Sequence, residues 1–187
     1  MARLIYGFMG VSLDGYIEDE NGNFDWAAPG EEVHRRANED AKEAVAFLYG
    51  RRMYELMEGF WPAAAAGDEE VGEVEAEFAD AYVETPRVVF SNSLESVSEG
   101  ARLVRRSGAL EEVRRLKEQP GGPLGLGGAG LASSLYELID EFRLWVNPVV
   151  VGGGKRFFPE HAERADLRLL EETQYPGGVI WLRYERV

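Results

Sequence analysis

The chain contains no cysteine and only two histidines among its 187 residues. The absence of cysteine excludes disulfide bonds, a catalytic thiolate and cysteine-ligated zinc, and no metal site is expected. It also fits a reducing compartment. No apolar run approaches the ~20 residues of a membrane span, and the N-terminus does not have the features of a signal peptide. We therefore expect a cytoplasmic protein that does not bind membranes.

Positive charge is also scarce, with 20 Lys and Arg against 34 Asp and Glu and a net charge of −14. Nucleic-acid binding requires clustered Lys and Arg along the phosphate backbone, so we expect no nucleic-acid partner. Hydrophobic residues make up 45% of the chain, which is enough for a core without covalent cross-links. The length predicts one domain over residues 1–187.

Strand-like and helix-like patterns alternate along the chain, which predicts an α/β fold with helices covering a largely parallel sheet. Predicted strands cover 3–12, 44–49, 86–90, 101–105, 124–126 and 141–151. Predicted helices cover 31–43, 51–59, 69–83 and 108–118, with a further one after the glycines at 127–130. Residues 63–67 are expected to form a loop, and 167–175 with 179–187 an antiparallel hairpin.

A short apolar run leads into Gly127, Gly128 and Gly130, and a helical pattern follows them. The first N–H groups of a helix have no internal partner and the helix dipole favours an anion there, so this turn suits a phosphate. The acidic residue that dinucleotide sites place ~20 positions later is missing, since Asp140 and Glu141 are too close. The alternative is that the glycines only allow tight packing of the helix on the strand.

Five segments, taken in order, resemble the dihydrofolate reductase-like superfamily. They are Ser12-Leu-Asp-Gly-Tyr-Ile17, Gly50-Arg-Arg-Met-Tyr-Glu55, Val89-Phe-Ser-Asn-Ser-Leu94, Gly127-Gly-Ala-Gly130 and residues 138–157. The chain is most similar to the reductase domain of bifunctional riboflavin-biosynthesis deaminase–reductases and to stand-alone relatives of that domain. The resemblance implies a three-layer α/β/α sandwich, a mostly parallel mixed sheet with an antiparallel C-terminal hairpin, and NADPH as the reductant.

The resemblance also implies which residues bind the cofactor. The arginine after Gly50 lies near the adenosine 2′-phosphate in the family, which assigns Arg51 to that role with help from Arg52. A guanidinium group matches the geometry of a phosphate. The remaining cofactor residues are expected near the adenosine phosphate or ribose and around the pyrophosphate; they are Gly50, Ser91, Asn92, Gly127, Gly128, Ala129, Gly130 and Leu131. Met53 stands where the family often has threonine, so a hydroxyl contact is lost.

The family positions suggest three catalytic residues, Asp14, Trp26 and Glu32. Asp14 lies near the nicotinamide in the family, and Trp26 belongs to a loop that closes over the site. The first helix carries the substrate-facing carboxylate in dihydrofolate reductases, and Glu32, His34 and Asn38 are the candidates for that position. The expected substrate-binding residues are Gly15, Tyr16, Asp25, His34 and Trp61. Alternatives remain open: Asp14 and Gly15 also suit a plain tight turn, Trp26 suits packing, and His34 suits an exposed helix face.

Riboflavin-pathway reductases typically carry lysine after the Asp-Gly pair, where it binds a substrate phosphate, but this chain has Tyr16. A phosphorylated ribosylaminopyrimidine is therefore disfavoured. We expect an NADPH-dependent reductase of a pterin-like, pyrimidine or other conjugated heterocyclic small molecule. The alternative is a binding or sensing protein that kept the nucleotide site and lost catalysis. Relatives commonly pair through the apolar stretch 144–151, so a homodimer is expected.

Overall fold

The computed structural model describes residues 1–160 and 162–187. The strands are β1 (Leu4–Tyr6), β2 (Gly10–Ser12), β3 (Tyr16–Glu18), β4 (Ala46–Gly50), β5 (Arg87–Phe90), β6 (Ala101–Val104), β7 (Leu124–Gly127), β8 (Glu141–Asn147), β9 (Lys155–Arg156), β10 (Leu167–Gln174) and β11 (Ile180–Arg186). The α-helices are α1 (Glu31–Glu43), α2 (Arg51–Glu58), α3 (Trp61–Ala66), α4 (Glu73–Glu84), α5 (Ala109–Lys117) and α6 (Ala129–Ser134). In the described residues, no helix combines the length and apolar character needed to cross a membrane.

The main sheet has the strand order β10-β11-β8-β1-β7-β4-β5-β6, and β2 also pairs with β8. Seven strands pair with one another only in parallel; they are β1, β2, β4, β5, β6, β7 and β8. Strand β11 is antiparallel to both β8 and β10. The predicted mixed sheet, mostly parallel and with an antiparallel C-terminal hairpin, is therefore confirmed. A separate antiparallel ribbon joins β3 and β9.

Helices cover both faces of the sheet because successive strand residues point to opposite sides. In β4, Leu48 packs in a core cluster with residues of α5 and α6. The neighbouring Phe47 and Tyr49 pack in a second cluster with Tyr54 of α2 and Tyr82 of α4. The two clusters form the two interfaces of a three-layer α/β/α sandwich, as expected.

The predicted first strand, 3–12, is wrong as a continuous element because the chain breaks between β1 and β2. A Cβ at Gly7 would lie 2.6 Å from the carbonyl oxygen of Arg143, so only glycine fits there. The next residue, Phe8, has a φ of 67°, in the left-handed region. Apolar character alone does not reveal such a break.

Two other boundaries differ from the sequence-based expectation. Residues 63–67 were expected as a loop, but Trp61–Ala66 forms α3, and Gly67 ends it with a φ of 80°. The strand predicted over 141–151 ends at Asn147, before Pro148, and 149–154 forms a loop. Proline cannot donate a hydrogen bond to a sheet, which accounts for the early end of β8.

Candidate functional site

A cleft of about 1160 Å³ lies where β4, β5, β7 and β8 reach their carboxyl ends and where β1 breaks before β2. The carboxyl edge of parallel strands is the usual ligand site of open α/β sheets. The cleft is larger than the ~300–1,000 Å³ of an ordinary small-molecule pocket, so its size suits two ligands bound side by side.

One part of the cleft is rich in hydrogen-bond donors, and we call it the polar arm. It is built where β4 leads into α2, β5 into its following loop, and β7 into α6. A short 3-10 helix, Arg106–Gly108, completes it after β6. The residues that line the polar arm are Arg51, Arg52, Ser91, Asn92, Ser93, Arg106, Gly128, Ala129, Gly130 and Leu131.

The glycine turn combines tight packing at one glycine with open backbone at the others. A Cβ at Gly127 would lie 2.8 Å from the Tyr49 ring, and Gly127 does not line the cleft, so this glycine allows close packing. Gly128 has a φ of 94°, which side chains rarely permit. A Cβ at Gly130 would meet nothing within 4 Å. Beyond Gly127, the turn therefore keeps its backbone open to the cleft.

The three arginines of the polar arm differ in how their charge is compensated. Arg51 Nε donates to Glu55 Oε1 at 2.7 Å, and Arg52 Nη1 donates to Glu18 Oε1 at 2.8 Å. The Arg106 guanidinium instead donates to the carbonyl oxygen of Gly130 at 3.3 Å, and within the described part of the chain it has no carboxylate partner. Arg106 thus brings the least compensated positive charge to the polar arm.

Ser91 and Asn92 shape the loop after β5. Ser91 Oγ accepts the backbone N–H groups of Ser93 at 3.2 Å and Leu94 at 3.1 Å. Asn92 Oδ1 accepts the backbone N–H of Arg106 at 3.0 Å and thereby joins this loop to the 3-10 helix. Ser91 is buried, whereas Ser93 is exposed and accepts from Arg51 Nη1 at 3.2 Å. Both predicted side chains line the cleft and also hold its wall in place.

The other part of the cleft is apolar, and we call it the apolar arm. Its wall includes Phe24, Val33, His34, Trp61, Phe78 and Trp145. The Trp61 and Phe78 rings lie 4.5 Å apart between centroids in an edge-to-face arrangement, and His34 lies 5.9 Å from Phe78. Burial lowers the pKa of His34, and the nearby carboxylates of Glu75 and Glu77 only partly oppose this effect. Burial therefore favours the neutral form of the imidazole.

Three residues of the 12–16 turn lie outside the cleft lining, contrary to expectation: Asp14, Gly15 and Tyr16. Asp14 accepts hydrogen bonds from Ser12 Oγ at 2.7 Å and from the backbone N–H groups of Val151 at 3.1 Å and Gly152 at 2.7 Å. These hydrogen bonds lower the pKa of Asp14 to about 2, and the bond from Ser12 has the largest effect. Gly15 supplies a φ of 90° for the turn, and the Tyr16 ring stacks under the Arg156 guanidinium. The 12–16 turn is therefore joined to the 149–154 loop and holds it in position.

The first helix and the preceding loop give a similar correction. Glu32 is exposed on α1, whereas Val33, His34 and Ala37 form the face toward the cleft. Asp25 is exposed and accepts the backbone N–H of Trp26 at 3.0 Å. Neither Asp25 nor Trp26 lines the cleft, although Phe24 and Ala27 beside them do.

Asn38 was another candidate for the position of the substrate-facing carboxylate. Its side chain donates to the carbonyl oxygen of Val74 at 2.9 Å and does not line the cleft. His34 and Trp61 do reach the cleft, as expected.

Sequence reasoning missed several lining residues. Arg106 follows directly after the predicted strand 101–105. Ligands gather at the carboxyl ends of parallel strands, and this argument, which identified Ser91, also identifies Arg106. Met9 and Gly10 enter the cleft because of the strand break, and Trp145 and Asn147 enter it from β8. A pattern of apolar residues gives no signal for these four, since it does not distinguish core from cleft.

The RibD C-terminal domain family matches residues 3–181. The protein YyaP of Bacillus subtilis (strain 168), described as uncharacterised, is 30% identical over 179 residues, which cover 94% of this chain and 91% of YyaP.

Solved structures that are similar to this chain over nearly its whole length include the following three. A protein from Shewanella sp. PV-4, assigned provisionally to riboflavin biosynthesis, gives a TM-score of 0.73 at 20% identity over 100% of this chain and 99% of its own. A diaminohydroxyphosphoribosylaminopyrimidine deaminase/5-amino-6-(5-phosphoribosylamino)uracil reductase of Thermotoga maritima gives 0.67 at 15% identity over 100% of this chain and 57% of its own. Dihydrofolate reductase of Enterococcus faecalis, complexed with NADP(H), gives 0.61 at 12% identity over 98% and 96%. These likenesses confirm a dihydrofolate reductase-like fold.

Proposed function

Because this chain belongs to the RibD C-terminal domain family, we propose that it is an NADPH-dependent reductase of a conjugated heterocyclic small molecule. The observation that carries the proposal is the single cleft with two chemically different arms. The polar arm offers open glycine backbone and three guanidinium groups, whereas the apolar arm offers rings. A dinucleotide with an extra phosphate requires the first, and a flat hydride acceptor requires the second.

The polar arm fits NADPH by its own chemistry. The N-terminus of α2 has no side-chain cap, and Gly128–Gly130 leaves space beside the start of α6. Unpaired helix N–H groups and arginine side chains favour phosphate oxygens. A dihydrofolate reductase of the same fold is complexed with NADP(H). We assign the 2′-phosphate to Arg106 and Arg51, and the pyrophosphate to the backbone of Gly128–Gly130.

When bound, NADPH would supply the hydride that reduces an electron-poor carbon of the substrate, and solvent would supply the proton. The protein residues orient the two partners. The rings of the apolar arm hold the acceptor against the polar arm and exclude water. Asn147 and His34 are the hydrogen-bonding side chains that β8 and α1 place at the cleft.

Calorimetry with NADPH and NADH tests the cofactor assignment. Arg106→Ala removes the least compensated cation, and a hydrogen bond to a charged group contributes ~1.5–3 kcal/mol. We therefore expect NADPH affinity to fall by ~10- to 100-fold while NADH affinity changes little. Arg51→Ala should act in the same direction but less strongly, because Glu55 already pairs with Arg51.

Arg115→Ala is the matched control, since Arg115 is an exposed arginine of α5 that does not line the cleft. Equal affinity of the wild-type protein for NADPH and NADH, or no binding of either, would contradict the assignment.

One observation favours a second candidate, a nucleotide-binding sensor without turnover. Within the described residues, α1 presents Val33, His34 and Ala37 to the cleft and no carboxylate. Tight NADPH binding with no NADPH oxidation in the presence of dihydropterins, dihydrofolate and aminopyrimidines would favour the sensor. Oxidation with any of these acceptors would exclude it.

A further inference from the structure

Charge is distributed unevenly around the cleft. The Asp, Glu, Lys and Arg residues that line it in the described part of the chain are Glu18, Arg51, Arg52, Glu55, Arg106 and Lys155. They all come from the β3–β9 ribbon, α2 or the 3-10 helix after β6. None comes from α1, α3, α4 or β8, the elements that supply Val33, Trp61, Phe78 and Trp145 to the apolar arm.

The aromatic groups that line the apolar arm are held by contacts with one another and with their neighbours. Trp61 and Phe78 pack edge-to-face, and His34 lies 6.2 Å from Trp61 at an interplanar angle of 74°. In β8, Trp145 packs against Trp181, with 5.9 Å between ring centroids. Aromatic pairs prefer offset or edge-to-face contacts, so this arrangement favours a flat conjugated ring.

The titratable group that α1 contributes does not change this character. His34 packs beside Trp61 of α3 and Phe78 of α4, and its Nδ1 lies 3.9 Å from Glu75 Oε1. Burial lowers the pKa of His34 against the opposing effect of Glu75 and Glu77. A phosphate or carboxylate placed beside these rings would lose its hydration, and the elements that carry the rings offer it no cation, since the lining cations, Lys155 included, lie on the β3–β9 ribbon, α2 and the 3-10 helix.

Resting on the proposed reductase function, we infer that the apolar arm accepts an uncharged, flat, conjugated ring that carries neither phosphate nor carboxylate. The substrate therefore belongs to a different chemical class from a phosphoribosyl pyrimidine or a glutamate-bearing folate. His34 and Asn147 orient the ring by hydrogen bonds, and the ring faces contact Trp61, Phe78 and Trp145.

Two matched probe pairs test this inference by calorimetry with the NADP⁺-loaded protein. The first pair is 6-methyl-7,8-dihydropterin and 7,8-dihydrofolate, which share a ring but differ in an anionic tail. The second is quinoxaline and quinoxaline-2-carboxylate, which share a flat heterocycle and differ in one anionic group. We expect the uncharged member of at least one pair to bind ten-fold or more tightly than its anionic partner, and that pair identifies the ring.

Phe24→Arg adds a cation to the edge of the apolar arm at a side chain that is 44% exposed. We expect it to raise the affinity for the anionic probe of the preferred pair five-fold or more. Leu13→Arg, at a residue that is 68% exposed and away from the cleft, is the control and should have no such effect.

The inference is overturned if neither uncharged probe is preferred, or if none of the four binds to protein that does bind NADPH. Failure to bind NADPH at all would instead contradict the proposed function. The two results are measured separately, so the two failures are distinguishable.

Discussion

At the scale of single residues, the 12–16 turn depends on the carboxylate of Asp14. The side chain joins Ser12 to the backbone of Val151 and Gly152, residues that lie far away in the sequence. A carboxylate that accepts several hydrogen bonds has a lowered pKa, and its ionised form then stabilises the folded state. The turn is thus held to the 149–154 loop by one charged group.

The pH dependence of stability tests this role. The folded-state pKa of Asp14, about 2, lies below the unfolded value of 3.8, so its contribution is present above pH 3.8 and is lost as the pH falls toward 2. We expect Asp14→Asn to lower the melting temperature above pH 3.8 and to differ less from wild type at about pH 2. Circular dichroism melts measure both values.

Asp68→Asn is the control, at an exposed carboxylate after α3, and it should give no such pH-dependent difference. An Asp14→Asn variant with the stability of wild type at every pH would contradict the argument. NADPH affinity should be retained, because Asp14 lies outside the cleft lining.

At the scale of elements, a buried ion pair fastens α1 to β8. Arg143 Nη1 of β8 lies 2.6 Å from Asp40 Oδ1 of α1, and both side chains are buried. Arg143 also donates to the buried Glu141 at 2.8 Å. Burial alone raises the pKa of Glu141, but hydrogen bonds from Arg183 and Arg143 outweigh it and the net shift is downward. This anchor holds the helix that brings Val33 and His34 to the apolar arm.

Removing Asp40 leaves Arg143 buried without that partner. Breaking a buried pair typically costs ~3–5 kcal/mol. At ~2–4 °C per kcal/mol for a chain of this size, Asp40→Ala should lower the melting temperature by roughly 6 to 20 °C. Glu39→Ala, at the exposed neighbouring position, should change it little. Equal melting temperatures for the two variants would mean that the anchor does not stabilise the fold.

At the scale of the whole molecule, one side of the sheet ends in β10, an edge strand with exposed Leu167, Leu169 and Leu170. Exposed edge strands promote association unless they are covered. The stretch 144–151 is expected to mediate pairing, but its β8 part is not an edge strand, because β8 lies between β11 and β1 in the sheet. We propose that a second copy covers β10, because antiparallel pairing of the two edge strands would bury these exposed leucines.

Light scattering at micromolar concentration tests the homodimer. We expect the wild-type chain to have twice its 20.9 kDa mass and Leu170→Lys to be monomeric, because a lysine on the edge strand opposes pairing. Leu110→Lys, at an exposed leucine of α5, should remain dimeric. A monomeric wild-type chain would exclude the proposal.

The sequence by itself determined the alternation of strands and helices, the closing hairpin and the glycine turn. Each of these depends on local spacing: the apolar period of α5, or the glycines that precede α6, require no knowledge of distant residues. Nine of the ten cofactor residues expected from the resemblance reach the cleft for the same reason, because they follow strand ends in chain order. Gly127 is the exception, since it packs against Tyr49.

Only the tertiary structure decided which side chains face the ligand space. Glu32 and His34 are two positions apart on one helix, yet packing of α1 on β8 turns the first to solvent and the second into the cleft. Arg106 and Gly130 meet although 24 residues separate them. Such juxtapositions depend on how the whole sheet is ordered, and local spacing does not encode that order.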